Sequence, residues 1–142
     1  TATDPIEFAA RYAGAKSVAD DKGVPIRALP THLSPEHAAD EIAAHLASDM
    51  AGIDGIFAAS DMLAIACMTE LQKRGIDVPG GMKLVGFDDL PIASQTRPAL
   101  TTIRQDIAAG AARLADLLLR RMGGENTASV VLPPELVGRQ TA

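Results

Sequence analysis

The sequence predicts an α/β fold, a parallel sheet with helices on both faces. Helical and strand-like patterns alternate along the chain. Two short segments, 55–59 (Gly-Ile-Phe-Ala-Ala) and 82–87 (Met-Lys-Leu-Val-Gly-Phe), are almost continuously apolar, as strands covered on both sides must be. Each ends abruptly in polar residues, Ser60-Asp61 and Asp88-Asp89, where a strand-to-helix turn belongs. A length of 142 residues, 47% of them hydrophobic, suits one such unit. No internal repeat, low-complexity stretch or linker divides it.

The elements follow from their boundaries. Asp4-Pro5 reads as an N-cap with proline at the first helical position. That helix should run to about Asp21 and stop at Gly23, with Pro25 beyond it. Residues 26–29 (Ile-Arg-Ala-Leu) read as a short strand. Ser34-Pro35 repeats the cap-plus-proline start, and Ala38, Ala39, Ile42, Ala43 and Leu46 then make an apolar helical face. After strand 55–59, helix 62–74 is nearly all apolar over its first two turns and ends at Gly75. After strand 82–87, residues 90–96 form a short helix broken by Pro98, and 100–104 a strand. Helix 106–122 begins at Gln105-Asp106 and ends at Gly123-Gly124; residues 130–132 and 135–137 make a final strand interrupted by two prolines.

Composition excludes several function classes. Eighteen acidic against thirteen basic residues give a net charge of -5, without the basic face of a nucleic-acid module. The single Cys67 excludes a disulfide framework and a thiolate zinc site. No run of 18 apolar residues could span a membrane. The chain opens at Thr1, which marks it as processed or a fragment.

In doubly wound sheets, ligands sit at the carboxyl ends of the strands. Ser60 and Asp61, Asp88 and Asp89, and Arg104 and Gln105 fall there. Hydroxyls, carboxylates and amides converging on a cleft suit a polyhydroxylated ligand. Asp61 and Asp89 read first as helix N-caps, whereas Asp88 is harder to explain that way and leans to a ligand role. Adjacent Asp88 and Asp89 would point apart on a strand end, so they make no acid–base pair. His37 and His45 lie more than two helical turns apart, a poor chelate, and His32 stands before their helix. No nucleophile elbow, phosphate loop or metal motif is present, so neither catalysis nor a cofactor is expected. Helix 62–74 carries more apolar surface than one sheet face needs; it is either sandwiched inside the domain or self-associating. Helix 106–122 poses the same question.

Four ordered blocks resemble one family. Ile56-Phe57-Ala58-Ala59-Ser60-Asp61-Met62-Leu63-Ala64 resembles the "FAANDxMA" block of LacI/GalR-family transcriptional regulators. Arg74-Gly75-Ile76-Asp77-Val78-Pro79 with Leu84-Val85-Gly86-Phe87-Asp88-Asp89 is similar to their "GxxVPxDxxVVGFDD". Residues 98–105 are similar to "PPLTTIRQ", and 132–139 to "LPTELVVR". The resemblance implies the C-terminal lobe of a periplasmic-binding-protein-like (type I) effector domain, truncated. Residues 104–123 would be a crossover segment toward a missing N-terminal lobe, and no DNA-binding domain lies within 1–142.

Carried over residue by residue, the resemblance implies effector binding by Arg11, Leu33, Ser60, Asp88 and Gln105. It implies a homodimer interface at Met62, Ile65, Ala66 and Thr69 on helix 62–74, with parts of 36–48 and 90–96. The implied partners are a small-molecule effector, a sugar or sugar derivative, and operator DNA held through an N-terminal helix-turn-helix absent from this chain. The location implied is cytoplasmic, with no membrane partner and no enzymatic activity. The competing reading of Arg11 is a surface salt bridge to Glu7 one turn back. A periplasmic sugar-binding protein of a transporter, which shares the fold, is the alternative, and a dimer would favour the regulator.

Overall fold

The computed structural model describes residues 5–31, 35–48 and 50–142, with side chains from residue 9 onward and, in the second helix, from residue 37. The expected caps Asp4 and Ser34 and the candidate Leu33 lie outside the described residues. The elements are α1 (Pro5–Lys22), α2 (Pro35–Ala47), β1 (Gly55–Phe57), α3 (Asp61–Lys73), β2 (Lys83–Phe87), a 3-10 turn (Pro91–Ser94), β3 (Thr101–Arg104), α4 (Ile107–Met122) and β4 (Glu135–Val137). Gly23 and Gly75 end α1 and α3 with φ of 65° and 71°, the left-handed step that lets a helix terminate cheaply.

The sheet has the order β1-β2-β3-β4. β1, β2 and β3 are parallel, with Ile56 beside Leu84 and Gly86 beside Thr102. β4 departs from the expected all-parallel pattern and pairs antiparallel with β3, Thr102 opposite Val137. Because strand side chains alternate, Ile56, Leu84, Gly86 and Thr102 face one layer, while Phe57, Val85 and Phe87 face the other.

α3 lies on the first face and α2 lies against α3. Leu63, Ala64, Cys67, Met68 and Leu71 are buried there with Leu84, Leu100, Ala38 and Ile42. The apolar excess of α3 is thus largely that of a helix sandwiched inside the domain. Met62 and Thr69 stay exposed, and Ile65 and Ala66 partly so. α1 reaches the second face through Arg11, whose guanidinium lies 3.9 Å from the centre of the Phe87 ring. α4 buries no residue, and Ile107, Leu114, Leu118 and Leu119 remain exposed.

Two expected strands are absent. Residues 26–29 and 130–132 carry strand-like composition but join no ladder among the described residues. A strand exists through its neighbour's hydrogen bonds, and composition alone does not provide one. The C-terminal residues, by contrast, are locked in. Thr141 is fully buried: its hydroxyl donates to Leu84 O at 2.7 Å and accepts from the Thr101 N–H at 2.8 Å.

Asp61 and Asp89 are not helix N-caps. Ser60 caps α3, its Oγ accepting from the Leu63 N–H at 3.3 Å, and Leu90 precedes the 3-10 turn with no side-chain cap. Asp61 is instead fully buried, accepting from Thr102 Oγ1 at 2.5 Å and from the Leu90 N–H at 2.7 Å. Position Gly86 exists to admit it: a Cβ there would collide with Asp61 Oδ1 and come within 3.1 Å of Leu100 Cδ2.

Candidate functional site

The carboxyl ends of β1 and β2 bring three of the candidate residues together. Arg11 Nη1 donates to Ala59 O at 2.5 Å, tying α1 to the end of β1 beside Ser60. Its Nη2 faces Asp88 Oδ1 at 4.0 Å. The Arg11 side chain is 16% exposed and that of Asp88 is 35% exposed, so the carboxylate keeps an open side. The guanidinium rests on the Phe87 ring, a cation–π contact that holds its plane. Arg11 therefore reaches the strand ends. The side chain of Glu7, the alternative partner, lies outside those described.

Asp88 owes its direction to an unusual turn. Asp88 and Asp89 both have left-handed backbone, φ 106° and 51°. This reversal breaks the alternation of a regular strand, so the two carboxylates take separate roles. Asp89 turns inward and is only 10% exposed, bonded to Arg104 Nε at 2.7 Å and to Arg139 Nη2 at 2.5 Å. Burial pushes its pKa up, but the hydrogen bonds from Arg139 and Arg104 outweigh it and hold the carboxyl below its ordinary value of 3.8.

A depressed folded value means stability that is present above the unfolded value and lost as pH falls through the folded one. Wild-type stability should therefore decline below about pH 4 in part through Asp89, and Asp89→Asn should remove that part. Denaturant midpoints measured from pH 6 to pH 3 check this; parallel curves for the two proteins would refute it.

Gln105 lines a surface depression that does not include this trio. It sits after β3 in an open depression of about 330 Å3 lined with Asp106, Ile107, Leu114, Leu132 and Pro134. Asp106 caps α4, accepting from the Ala109 N–H at 2.8 Å. Cys67 is buried, and burial pushes its thiol up to about 11, so it carries no thiolate at neutral pH. Among the described residues no cluster of His, Cys, Asp and Glu could hold a metal ion. No described helix is long and apolar enough to cross a membrane. Arg139 escaped the sequence reading as a functional candidate, whereas Asp61 stood among the strand-end candidates. For Arg139 the one local signal was its place in the closing block 132–139.

Residues 3–142 match a periplasmic binding protein-like domain. A 90-residue stretch is 34% identical to the lactose operon repressor of Rhizobium radiobacter, covering 63% of this chain and 80% of that protein. The chain belongs to the LacI/GalR family. The HTH-type transcriptional regulator DegA of Bacillus subtilis is 34% identical over 136 residues, 92% of this chain and 40% of DegA. This LacI/GalR-family chain thus spans well under half of that relative. A LacI family transcriptional regulator from Enterococcus faecium with bound ribose superposes with a TM-score of 0.80 at 29% identity, covering 93% of this chain and 50% of that one. These relatives are transcriptional regulators, not enzymes.

Proposed function

We propose that this chain is the effector-binding and dimerisation region of a cytoplasmic LacI-family DNA-binding regulator. It senses a small metabolite, a sugar or sugar derivative, and controls operator binding allosterically. The observation that carries the effector reading is the arrangement of Arg11 and Asp88. The guanidinium and carboxylate stand 4.0 Å apart at the strand ends, wider than a direct hydrogen bond. A ligand hydroxyl can donate to the carboxylate while accepting from the guanidinium, using the two opposite charges of the pair. The Ser60 hydroxyl, whose lone pair caps α3, still has its proton to donate. Leu33 and Gln105 complete the proposed contacts, Gln105 from the crossover that leads into α4.

The ribose bound to the Enterococcus faecium neighbour supports a sugar-sized polyol as the ligand class. Two lobes closing on it would shift the population between operator-binding and released states. A useful coupling is about 1–3 kcal/mol, or 5–150-fold in operator affinity. The coding DNA upstream of Thr1 tests the reading directly. A helix-turn-helix, a hinge and a first lobe are expected there; a secretory signal would make the chain part of a transporter's sugar receptor instead.

Dimerisation is proposed through the outer stripe of α3, where Met62, Ile65, Ala66 and Thr69 recur at helical spacing. Met62 is 49% exposed, so its apolar surface is available to a second copy and its replacement leaves the core intact. Met62→Asp is expected to weaken self-association by about tenfold or more, the cost of burying a charge at an apolar contact. Light scattering across a dilution series checks this. A wild-type chain that stays monomeric throughout, or a variant that dimerises as tightly, would refute the assignment.

A further inference from the structure

Two successive non-glycine residues with left-handed backbone persist only where their surroundings over-determine them. For Asp88 and Asp89 those surroundings are explicit. The Asp88 N–H donates to Ile103 O at 2.8 Å and the Asp89 N–H to Thr102 Oγ1 at 3.4 Å. The Leu90 N–H donates to Asp61 Oδ2 at 2.7 Å. The Asp89 carboxylate is held by two guanidinium groups of different standing. Arg104 is 45% exposed and shares its charge with Glu135. Arg139 is 18% exposed and anchored twice more, Nη1 donating to Leu100 O at 2.7 Å and its backbone N–H to Thr101 Oγ1 at 2.9 Å.

We infer that Arg139 is a positioning residue for the candidate site. By clamping Asp89 it holds the Asp88-Asp89 turn, and the turn aims the Asp88 carboxylate at Arg11. This rests on the reading of Asp88 as an effector ligand. The two arginines also flank α4 in the chain: Arg104 ends β3 just before the helix, and Arg139 follows β4 on the way back. A displacement of β4 against β3 is therefore transmitted through Asp89 to Asp88. The clamp gives the strands leading into and out of α4 a mechanical hold on the residue proposed to touch effector.

The test compares this chain with its Arg139→Gln and Arg139→Lys variants by NMR, without any effector. In Arg139→Gln, amide hydrogen exchange at Asp89 and Leu90 should accelerate by about tenfold or more, while the buried Met68 in the middle of α3 is unchanged. The Asp88 HN–Hα coupling, which reads φ, should move away from its wild-type value. Arg139→Lys keeps the charge and one donor and should recover part of both effects. Equal acceleration at Met68 and Leu90 would show that Arg139 supplies only overall stability, and would overturn the proposal. An unaltered Asp88 coupling would overturn it as well. Failure of the effector reading is read separately, from the response of an Asp88→Ala regulator to effector.

Discussion

Asp88→Ala is expected to abolish the response to effector while leaving operator binding intact. The Asp88 carboxylate is the acceptor that a ligand hydroxyl would meet, with Oδ1 standing 4.0 Å from Arg11 Nη2. A hydrogen bond to a charged group contributes about 1.5–3 kcal/mol, so losing it costs roughly one to two orders of magnitude in effector affinity. The fold is expected to survive the substitution, because the side chain is 35% exposed and the turn is held through Asp89 and backbone amides. It should even relieve nothing in the fold, since alanine is also disfavoured at a φ of 106°. The measurement is operator retention by the complete regulator against a panel of sugars, beginning with D-ribose. An unchanged response in the variant would remove Asp88 from the site.

The largest effect on stability is expected at Gly86. Gly86→Ala places a methyl group against Asp61 Oδ1, with Ala64 Cβ within 3.3 Å and Leu100 Cδ2 within 3.1 Å. Neither the backbone of β2 nor that of α3 can yield without disturbing the sheet, and Asp61 cannot swing away cheaply. Its oxygens satisfy the buried Thr102 hydroxyl and the Leu90 amide. Overpacking of a tight core costs about 1–3 kcal/mol, and orphaning one of these donors adds about 1–3 kcal/mol. A loss of about 3 kcal/mol would lower the melting temperature by roughly 10 °C for a domain of this size. Thermal unfolding followed by circular dichroism checks the value. Adding Asp61→Ala to Gly86→Ala should cost less than the sum of the two single losses, because the second change vacates the space the first invades. Strict additivity would show that the two positions do not meet.

Local signals were sufficient for most of the helices and for the strand ends. Proline starts, glycine stops and apolar spacing are short-range features, and the helices that they mark lie within a residue or two of their expected limits. Ser60 and Asp88 were legible as strand-end polar residues because the buried strands before them are continuous apolar runs. The same local rules over-reached at 26–29 and 130–132, where apolar residues occur without a neighbouring strand to pair with.

The amino-acid sequence by itself determined the α/β class, the order of elements and the end of the sheet at which polar groups gather. These depend on backbone propensity and hydrophobic period, which act over a few residues. Tertiary structure alone decided what each acid does. Asp61, a cap by sequence, became a buried acceptor because Thr102 was brought to it from across the sheet. Asp89, also a cap by sequence, became the centre of an arginine clamp because β4 pairs antiparallel with β3 and brings Arg139 beside Leu100 and Thr101, from where its guanidinium reaches Asp89. A carboxylate after a strand looks the same in either role until the chain folds, since its partner lies tens of residues away and only strand pairing selects it.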